Sequence, residues 1–263
     1  MTDATGGGEA APRPEIADLS VADLRFALAQ GWRDYRAAPG FGIVFSAAYV
    51  LGGLFLTFVS GGFVWQTLIL ALGFPLVAPF AAVGLYETSR RLEQDRPLDL
   101  YRIFGVVWRE KDRQIPWLGA IILIYFLFYS FLAHMIFALF MGLSVMTNVS
   151  TSLEAFLTPN GLTMIAVQLV VGGVLAFVLF ALTVVSLPLL LEKEVDFITA
   201  MIVSFSAVQQ NPGVMALWAA LIAVCVMVAM LPVFLGLFVA LPVLGHATWH
   251  LYRRALIHPA AAA

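Results

Sequence analysis

The sequence predicts an all-α, polytopic membrane protein with six transmembrane helices arranged as three hairpins. Of the 263 residues, 62% are hydrophobic and only 11% are charged, and the mean hydropathy is +0.95. A soluble domain has about 25% charged residues. Four windows contain no charged residue, and each exceeds the roughly 20 residues that a helix needs to cross the hydrocarbon core. These windows are residues 37–86, 114–153, 155–191 and 197–252.

Polar residues that interrupt the apolar windows separate the first four spans. The triplet "SGG" at 60–62 divides the first window, because glycines permit the positive-φ positions of a tight turn. The polar stretch "TNVSTSLEAFLTPNG" separates the third span from the fourth. Gly172 and Gly173 in the fourth span would let a neighbouring helix approach closely. The predicted spans are about residues 41–60, 63–86, 117–145 and 162–191.

The last apolar run, residues 213–252, has Pro232 near its middle. Its length suits two spans of roughly 19 residues joined at "AMLP", close to the usual minimum for a crossing helix. One over-long tilted helix is the rival interpretation.

The basic residues predict how the spans are oriented. All fourteen fall in four places: the N-terminal segment, the loop 90–113, Lys193, and the pair Arg253 and Arg254. Cytoplasmic loops retain Lys and Arg, so we expect both termini and both basic loops to face the cytoplasm. An even number of spans must then separate successive basic clusters. Six spans satisfy this requirement and five do not.

The stretch "VDFITAMIVSFSAVQQNP", residues 195–212, lies between two spans but carries several polar residues. Its large apolar residues Phe197, Met201, Phe205 and Val208 follow helical spacing, and the opposite face is small or polar. This pattern predicts a helix that lies in the membrane interface and does not cross it.

Similar stretches begin at Asp23 and at Asp99, which suggests an internal repeat. A shift of 173 residues places Asp23 on Asp196 and Pro39 on Pro212. Each unit would be an aspartate, an interfacial amphipathic helix, a proline and a hairpin of two spans. The alternative is that any amphipathic helix before a span shows such a stripe. We predict units at about 23–92, 99–191 and 196–255.

The chain outside these units is short. The stretch "MTDATGGGEAAPRPEIADLS" is acidic and has no apolar core, so we expect that it is not a cleaved signal peptide. Residues 1–19 are predicted to form a disordered N-terminal tail. Residues 20–255 form the six-helix membrane domain, and residues 256–263 form a short C-terminal tail.

Two stretches carry a resemblance to known proteins, namely "LPLLLEKEVDFITAMIVSFSAVQQNP" and "GWRDYRAAPGFGIVFSAAYVLGG". Over roughly residues 20–255 the chain resembles an uncharacterised proteobacterial family of six-span inner-membrane proteins, which is catalogued as a domain of unknown function. The resemblance implies a multi-pass protein of the bacterial inner membrane. It implies no catalytic residues.

Three histidines are the candidate ligands for a haem or a metal. His246 and His250 lie one helical turn apart on one face, and His134 lies in the third span. At 1.5 Å per residue, His134 is about 25 Å from the cytoplasmic entry, whereas the pair is within roughly 10 Å of the exit. No cysteine or carboxylate accompanies the pair within its span, so the sequence favours helix-bridging histidines and predicts no cofactor.

A set of basic residues at the membrane boundary is suited to anionic lipid head groups. Topology determination is the simpler explanation of the same residues. Two nearby carboxylates, Glu87 and Glu192, are expected to pair with Arg90, Arg91 or Lys193. The candidate head-group contacts are Arg90, Arg91, Arg102, Arg109, Lys111, Arg113, Arg253 and Arg254.

The sequence contains no catalytic motif and no basic stripe for nucleic acid, so we expect neither an enzyme nor a nucleic-acid-binding protein. The favoured function is a structural, accessory or assembly partner of a larger inner-membrane complex. The alternative is a transporter or channel for a small or lipid-like solute, because transporters are often built from repeats.

Overall fold

The computed structural model describes residues 14–58, 64–142 and 156–257. These residues are mostly helical, so the predicted all-α class is confirmed. The only strands among them are two short ones, near the first and the last described residues, which pair with each other as an antiparallel ribbon. The elements are β1 (Glu15–Ile16), α1 (Val21–Ala37), α2 (Pro39–Phe58), α3 (Val64–Glu93), α4 (Leu100–Glu110), α5 (Ile115–Met141), α6 (Pro159–Thr183), α7 (Ser186–Glu192), α8 (Phe197–Gln210), α9 (Pro212–Met230), α10 (Leu237–Ala255) and β2 (Leu256–Ile257).

Among the described residues, three segments are long and apolar enough to cross a membrane, namely α5, the pair α6 and α7, and α9. They coincide with the predicted third, fourth and fifth spans. The remaining predicted spans fall on α2, α3 and α10. Helices α1 and α2 pass the same test only as a pair, and they meet at an angle of 100°. The total of six spans stays a prediction, and the turn predicted at 60–62 lies outside the described residues.

The region around Pro232 is a turn, as the interpretation of residues 213–252 as two spans predicts. Helix α9 ends at Met230 and α10 begins at Leu237. Between them Val233 and Phe234 have positive φ angles of 51° and 65°, which reverse the chain. The rival interpretation, a single over-long helix through Pro232, is therefore wrong.

Helix α8 is the stretch that the sequence placed in the interface. Asp196 caps it by accepting a hydrogen bond from the Thr199 N–H at 2.8 Å, and its bonds to Thr199 lower the pKa of this carboxyl. The helix has 14 residues and is about 21 Å long, too short to cross a core of about 30 Å.

The face of α8 that packs inward consists of Ala200, Val203, Ser204 and Ala207. The outward face carries Ile198, Ile202 and Phe205, each more than a third exposed. Of the predicted apolar stripe, therefore, Phe205 faces outward, whereas Val208 is buried. The stripe is displaced because the small residues allow the closest approach to α6 and α7.

Ser204 explains why the fourth predicted span is broken near its end. Its hydroxyl donates to the Ala181 carbonyl at 2.7 Å and accepts from the Val185 N–H at 3.0 Å. It thereby satisfies backbone groups where α6 gives way to α7. Pro188 follows one turn later and has no N–H to donate. A buried serine thus replaces the hydrogen bonds that a continuous helix would have made.

The polar residues before Pro212 hold the N-terminal segment in place. The Asn211 side chain accepts from the Leu19 N–H at 2.7 Å and donates to the Ala17 carbonyl at 3.0 Å. Strand β1 then pairs with β2, with Glu15 opposite Ile257. The predicted boundaries of the two tails are therefore wrong, because residues 14–19 and 256–257 are part of the folded domain. Residues 1–13 and 258–263 lie outside the described part.

Some corresponding positions of the predicted repeat have similar local geometry. Ala38 ends α1 with φ −139° and ψ 54°, and Asn211, which is 173 residues later, ends α8 with φ −122° and ψ 51°. Asp99 caps α4 as Asp196 caps α8. Asp23 differs, because it lies inside the first turn of α1 and accepts from Ser20. The threefold repeat itself stays a prediction.

Helices α1 and α10 pack together more closely than ordinary side chains allow. A Cβ atom placed on Gly31 would lie 2.6 Å from the backbone nitrogen of Ala247 and 2.6 Å from the carbonyl oxygen of Val243. Gly172 of α6 similarly receives the ring of Tyr129 from α5, whereas Gly173 faces open space. The predicted close approach is thus found at Gly172 only.

Candidate functional site

Ionisable and polar side chains from four helices meet at one end of the bundle, and we call them the polar layer. The C-terminal ends of α3 and α10 contribute most of them, and α1 and α7 supply the rest. The members are Asp23, Asp34, Glu87, Ser89, Arg90, Arg91, Glu93, Glu192, His246, His250, Tyr252, Arg253 and Arg254.

Glu87 is the most deeply buried carboxylate of the polar layer, with a side chain only 1% exposed. It forms ion pairs with Arg90 at 2.8 Å and with Arg91 at 2.7 Å. Both partners lie on the same face of α3, three and four residues away, which is the spacing that brings helical side chains together. The pairing predicted for Glu87 is confirmed. It lets a charged group lie inside the protein without an unpaired charge.

Helix α10 is tied to α3 and α7 through Arg253. Its guanidinium contacts Glu192 at 2.8 Å and Glu93 at 3.3 Å. Trp249 donates to Glu93 at 3.1 Å, and Tyr252 donates to Glu192. Glu192 therefore pairs with Arg253, and not with Arg90, Arg91 or Lys193, which the sequence analysis expected as partners. These contacts fasten three helix ends to one another.

The two histidines of α10 connect it to different helices. His250 Nε2 lies 2.7 Å from Asp34 Oδ2 of α1, and His246 Nδ1 lies 2.7 Å from the hydroxyl of Ser89 on α3. Each ring thus bonds a different neighbouring helix through one of its two nitrogens. Within the described residues, no group of three His, Cys, Asp or Glu side chains could hold a metal.

The third candidate, His134, lies far along α5 from the polar layer. Its Nδ1 is 2.6 Å from the Ser130 carbonyl of its own helix, and its side chain is exposed on the surface of α5. Nearby, Gln168 of α6 donates to the Ala133 carbonyl at 3.1 Å. His134 thus bonds within its own helix, and Gln168 bonds α6 to α5.

The remaining basic candidates lie on or just after α4. Arg113 is paired with Glu110 at 3.1 Å and with Glu194 at 2.6 Å. Lys111 lies 4.0 Å over the ring of Trp108. No described carboxylate forms an ion pair with Arg102, Arg109 or Lys111. Of the eight predicted head-group contacts, these three are the ones without an acidic partner among the described residues.

An open cavity of about 700 Å³ lies beside the polar layer, between α1, the end of α3 and the last turn of α10. We call it the α1–α10 cavity. Asp34 and His250 contribute to its wall, and the turn after α3 adds Asp95. The lining residues are Phe26, Gln30, Arg33, Asp34, Ala37, Leu92, Glu93, Asp95, His250, Arg253 and Arg254.

Sequence reasoning did not single out Asp34, Ser89 or Glu93. The sequence contains a weak indication that Asp34 is buried, because Asp34 shares a helical face with Ala27 and Gly31, which are small and apolar. A charge on such a face indicates a buried partner. The sequence gives no such indication for Ser89 and Glu93, because their hydrogen-bond partners are more than 150 positions away in the chain.

The Asp34–His250 contact is expected to couple α1 to α10 energetically. We expect Asp34→Asn and His250→Gln each to lower the free energy of unfolding by about 2 kcal/mol, because either change disrupts a hydrogen-bonded and largely buried pair. The double variant should lose less than the sum, with a coupling energy of about 1–2 kcal/mol. Thermal unfolding in detergent measures this, with the exposed Asp112→Asn as control. Strictly additive losses would contradict the coupling.

Comparison with known proteins identifies one related family. Residues 67–192, from α3 through α7, match a family model described as "Predicted integral membrane protein (DUF2189)". This segment is a little less than half of the chain. No curated protein and no solved structure matches the chain. The match and the three apolar segments together show an integral, multi-pass membrane protein that is similar, over these residues, to that family.

Proposed function

We propose that this chain is a non-catalytic partner in a membrane complex, with α5 as its main contact surface. One observation supports this most strongly. Only 6% of the residues in the most apolar stretch of α5 are buried within the protein, compared with 17% for α9 and 50% for α6 and α7 together. A helix of 27 residues with so few fully buried residues presents one long face to lipid or to another protein.

The composition of that surface favours a protein partner over part of its length. Phe131 and Leu139 are 69% and 75% exposed, and His134 lies between them. Beyond its contact with Ser130, the His134 ring bonds no other described residue. Polar side chains on helices within a membrane contribute by bonding across to a neighbouring helix. A partner helix beside His134 would supply such a bond.

The proposal adopts the membrane topology that the distribution of basic residues predicts. The pairing of β1 with β2 places the described chain ends side by side, which agrees with an even number of crossings. Arg90, Arg91, Arg253 and Arg254 gather at this same end. Basic residues are retained on the cytoplasmic side, so the proposal places both termini in the cytoplasm and the spans in a bacterial inner membrane.

Anionic lipid head groups would contact the protein through α4. Tyr101 and Trp108 are 90% and 69% exposed, and aromatic side chains favour the level of the head groups. Arg102, Arg109 and Lys111 surround them, and each basic residue near an anionic surface contributes about 1 kcal/mol. This surface would hold α4 in the plane of the membrane.

The alternative of a transporter or channel receives less support from the described residues. A solute path requires polar or ionisable groups at the midplane of the bilayer. The buried carboxylates Asp34, Glu87 and Glu110 instead lie in or beside the charged ends of their helices, and each is paired there. This arrangement supports a fastening role.

Purification in a mild detergent from native membranes tests the proposal. We expect a tagged wild-type chain to bring along a discrete set of membrane proteins, identified by mass spectrometry. Leu139→Trp in α5 should reduce their recovery at least about tenfold, because a packed helix cannot accommodate the larger ring whereas fluid lipid can. Met227→Trp is the matched control on α9, where the native side chain is 65% exposed. Recovery of the wild-type chain alone would refute the proposal.

A further inference from the structure

The α1–α10 cavity has the size and the charge of a binding site for a small polar ligand. Its volume of about 700 Å³ lies within the range of about 300–1,000 Å³ found for small-molecule sites. Three guanidinium groups and three carboxylates line it, so their formal charges balance. The lining includes Asp34, which is only 5% exposed and is bonded by His250.

Most of the charged groups that line the cavity form ion pairs within the protein, but one arginine and one aspartate form none with any described residue. Arg253 is paired with Glu93, and Arg254 is paired with Asp23 at 2.7 Å. No described residue forms an ion pair with Arg33 on α1 or with Asp95 in the turn after α3. The cavity therefore offers one cation and one anion, on separate walls, to a ligand that carries both charges.

Arg254 adds further hydrogen-bond donors to the lining of the same cavity. Its guanidinium lies 4.1 Å over the ring of Phe26, which fixes the plane of the group. An arginine has five N–H donors, and the ion pair with Asp23 uses only some of them. Two guanidinium groups at one site are suited to a phosphate, because their fork geometry matches phosphate oxygens.

The cavity also lies where lipid head groups would reach it. It opens where α3 and α10 end and where α1 turns through 100° into α2. Under the topology proposed above, on which this inference rests, that is the cytoplasmic head-group level. Phe26 is 40% exposed at the cavity and would lie beside the upper part of an acyl chain.

We propose that the α1–α10 cavity binds a phosphate and an ammonium group carried on one molecule, as in the phosphoethanolamine head group of a zwitterionic phospholipid. Arg33 and Arg254 contact the phosphate, and Asp95 contacts the ammonium group. A purely anionic head group binds less well, because it places no positive charge beside Asp95.

Binding to the full-length protein in detergent tests this, with short-chain phosphatidylethanolamine, short-chain phosphatidylglycerol and free phosphoethanolamine as probes. We expect the wild type to bind phosphatidylethanolamine at least about tenfold more tightly than phosphatidylglycerol. Arg33→Gln should weaken binding of both lipids about tenfold. Asp95→Asn should weaken only the zwitterionic lipid and abolish the preference. Arg36→Gln, on the same helix but outside the cavity, should change neither.

The free probe identifies the source of the ligand. If phosphoethanolamine binds with the same dependence on Arg33 and Asp95, the site takes a soluble ligand of this chemistry. If only the lipid binds, the site takes membrane lipid. Equal affinity of the wild type for the two lipids, or affinity unchanged by both cavity substitutions, would overturn the proposal. Recovery of partner proteins through α5 is a separate readout, so either proposal can fail without the other.

Discussion

Replacing Gly31 with alanine is expected to lower the free energy of unfolding by about 3 kcal/mol, the largest effect we anticipate for a single methyl group. The added Cβ would lie 2.6 Å from two backbone atoms of α10 and 2.8 Å from the Cβ of Ala247. Backbone atoms cannot rotate away as side chains do. Helices α1 and α10 would have to separate along their shared length, and overpacking of this kind costs about 1–3 kcal/mol or more.

The matched control is Gly40→Ala at the start of α2. A Cβ there meets nothing within 4 Å, and alanine favours a helix over glycine by about 1 kcal/mol. Gly40→Ala should therefore be neutral or slightly stabilising. Thermal unfolding followed by circular dichroism in detergent measures both variants. Equal unfolding temperatures for the two would show that α1 and α10 are not in backbone contact.

The second large effect is expected at Glu87. Replacing Glu87 with alanine should lower the free energy of unfolding by about 3 kcal/mol, because breaking one side of a buried ion pair leaves the other charges uncompensated. Here two guanidinium groups lose their shared partner, and the side chains of Arg90 and Arg91 are only 21% and 12% exposed. Glu87→Gln keeps an acceptor oxygen and should have an intermediate effect.

Glu194→Ala is the control for Glu87. Glu194 also contacts an arginine, Arg113 at 2.6 Å, but its side chain is 89% exposed. Exposed ion pairs contribute about 0–1 kcal/mol because water screens them, so we expect little change in unfolding temperature. A loss for Glu87→Ala no greater than that for Glu194→Ala would mean that the buried ion pair does not stabilise the polar layer.

Several elements could be predicted because their signals are local. A window without charges long enough to cross the bilayer is visible in composition alone, and three such segments are found at α5, at α6 with α7, and at α9. Pro232 and the length of its apolar run indicated the turn between α9 and α10. Asp99 and Asp196 marked the starts of α4 and α8, because a capping aspartate acts within one turn.

Other features could not be predicted, because they depend on residues far apart in the chain. The polar residues at 210–211 suggested only a helix end, yet Asn211 also fastens Ala17 and Leu19, more than 190 positions earlier. The buried face of α8 also differs from the predicted apolar stripe because of contacts with residues on other helices. Amphipathicity shows that a helix has two faces, but the packing of Ser204 against the break after α6 decides which residues are inside.

The sequence by itself determined the class of protein, the approximate helix boundaries and the end at which the basic residues gather. These follow from transfer of apolar and charged groups between water and lipid, which each residue undergoes almost independently of its neighbours. The tertiary structure alone decided that His250 bonds Asp34, that Glu192 pairs with Arg253, and that a cavity lies between α1 and α10. Such pairings require two helices to pack in one particular register, and no local pattern of residues encodes it.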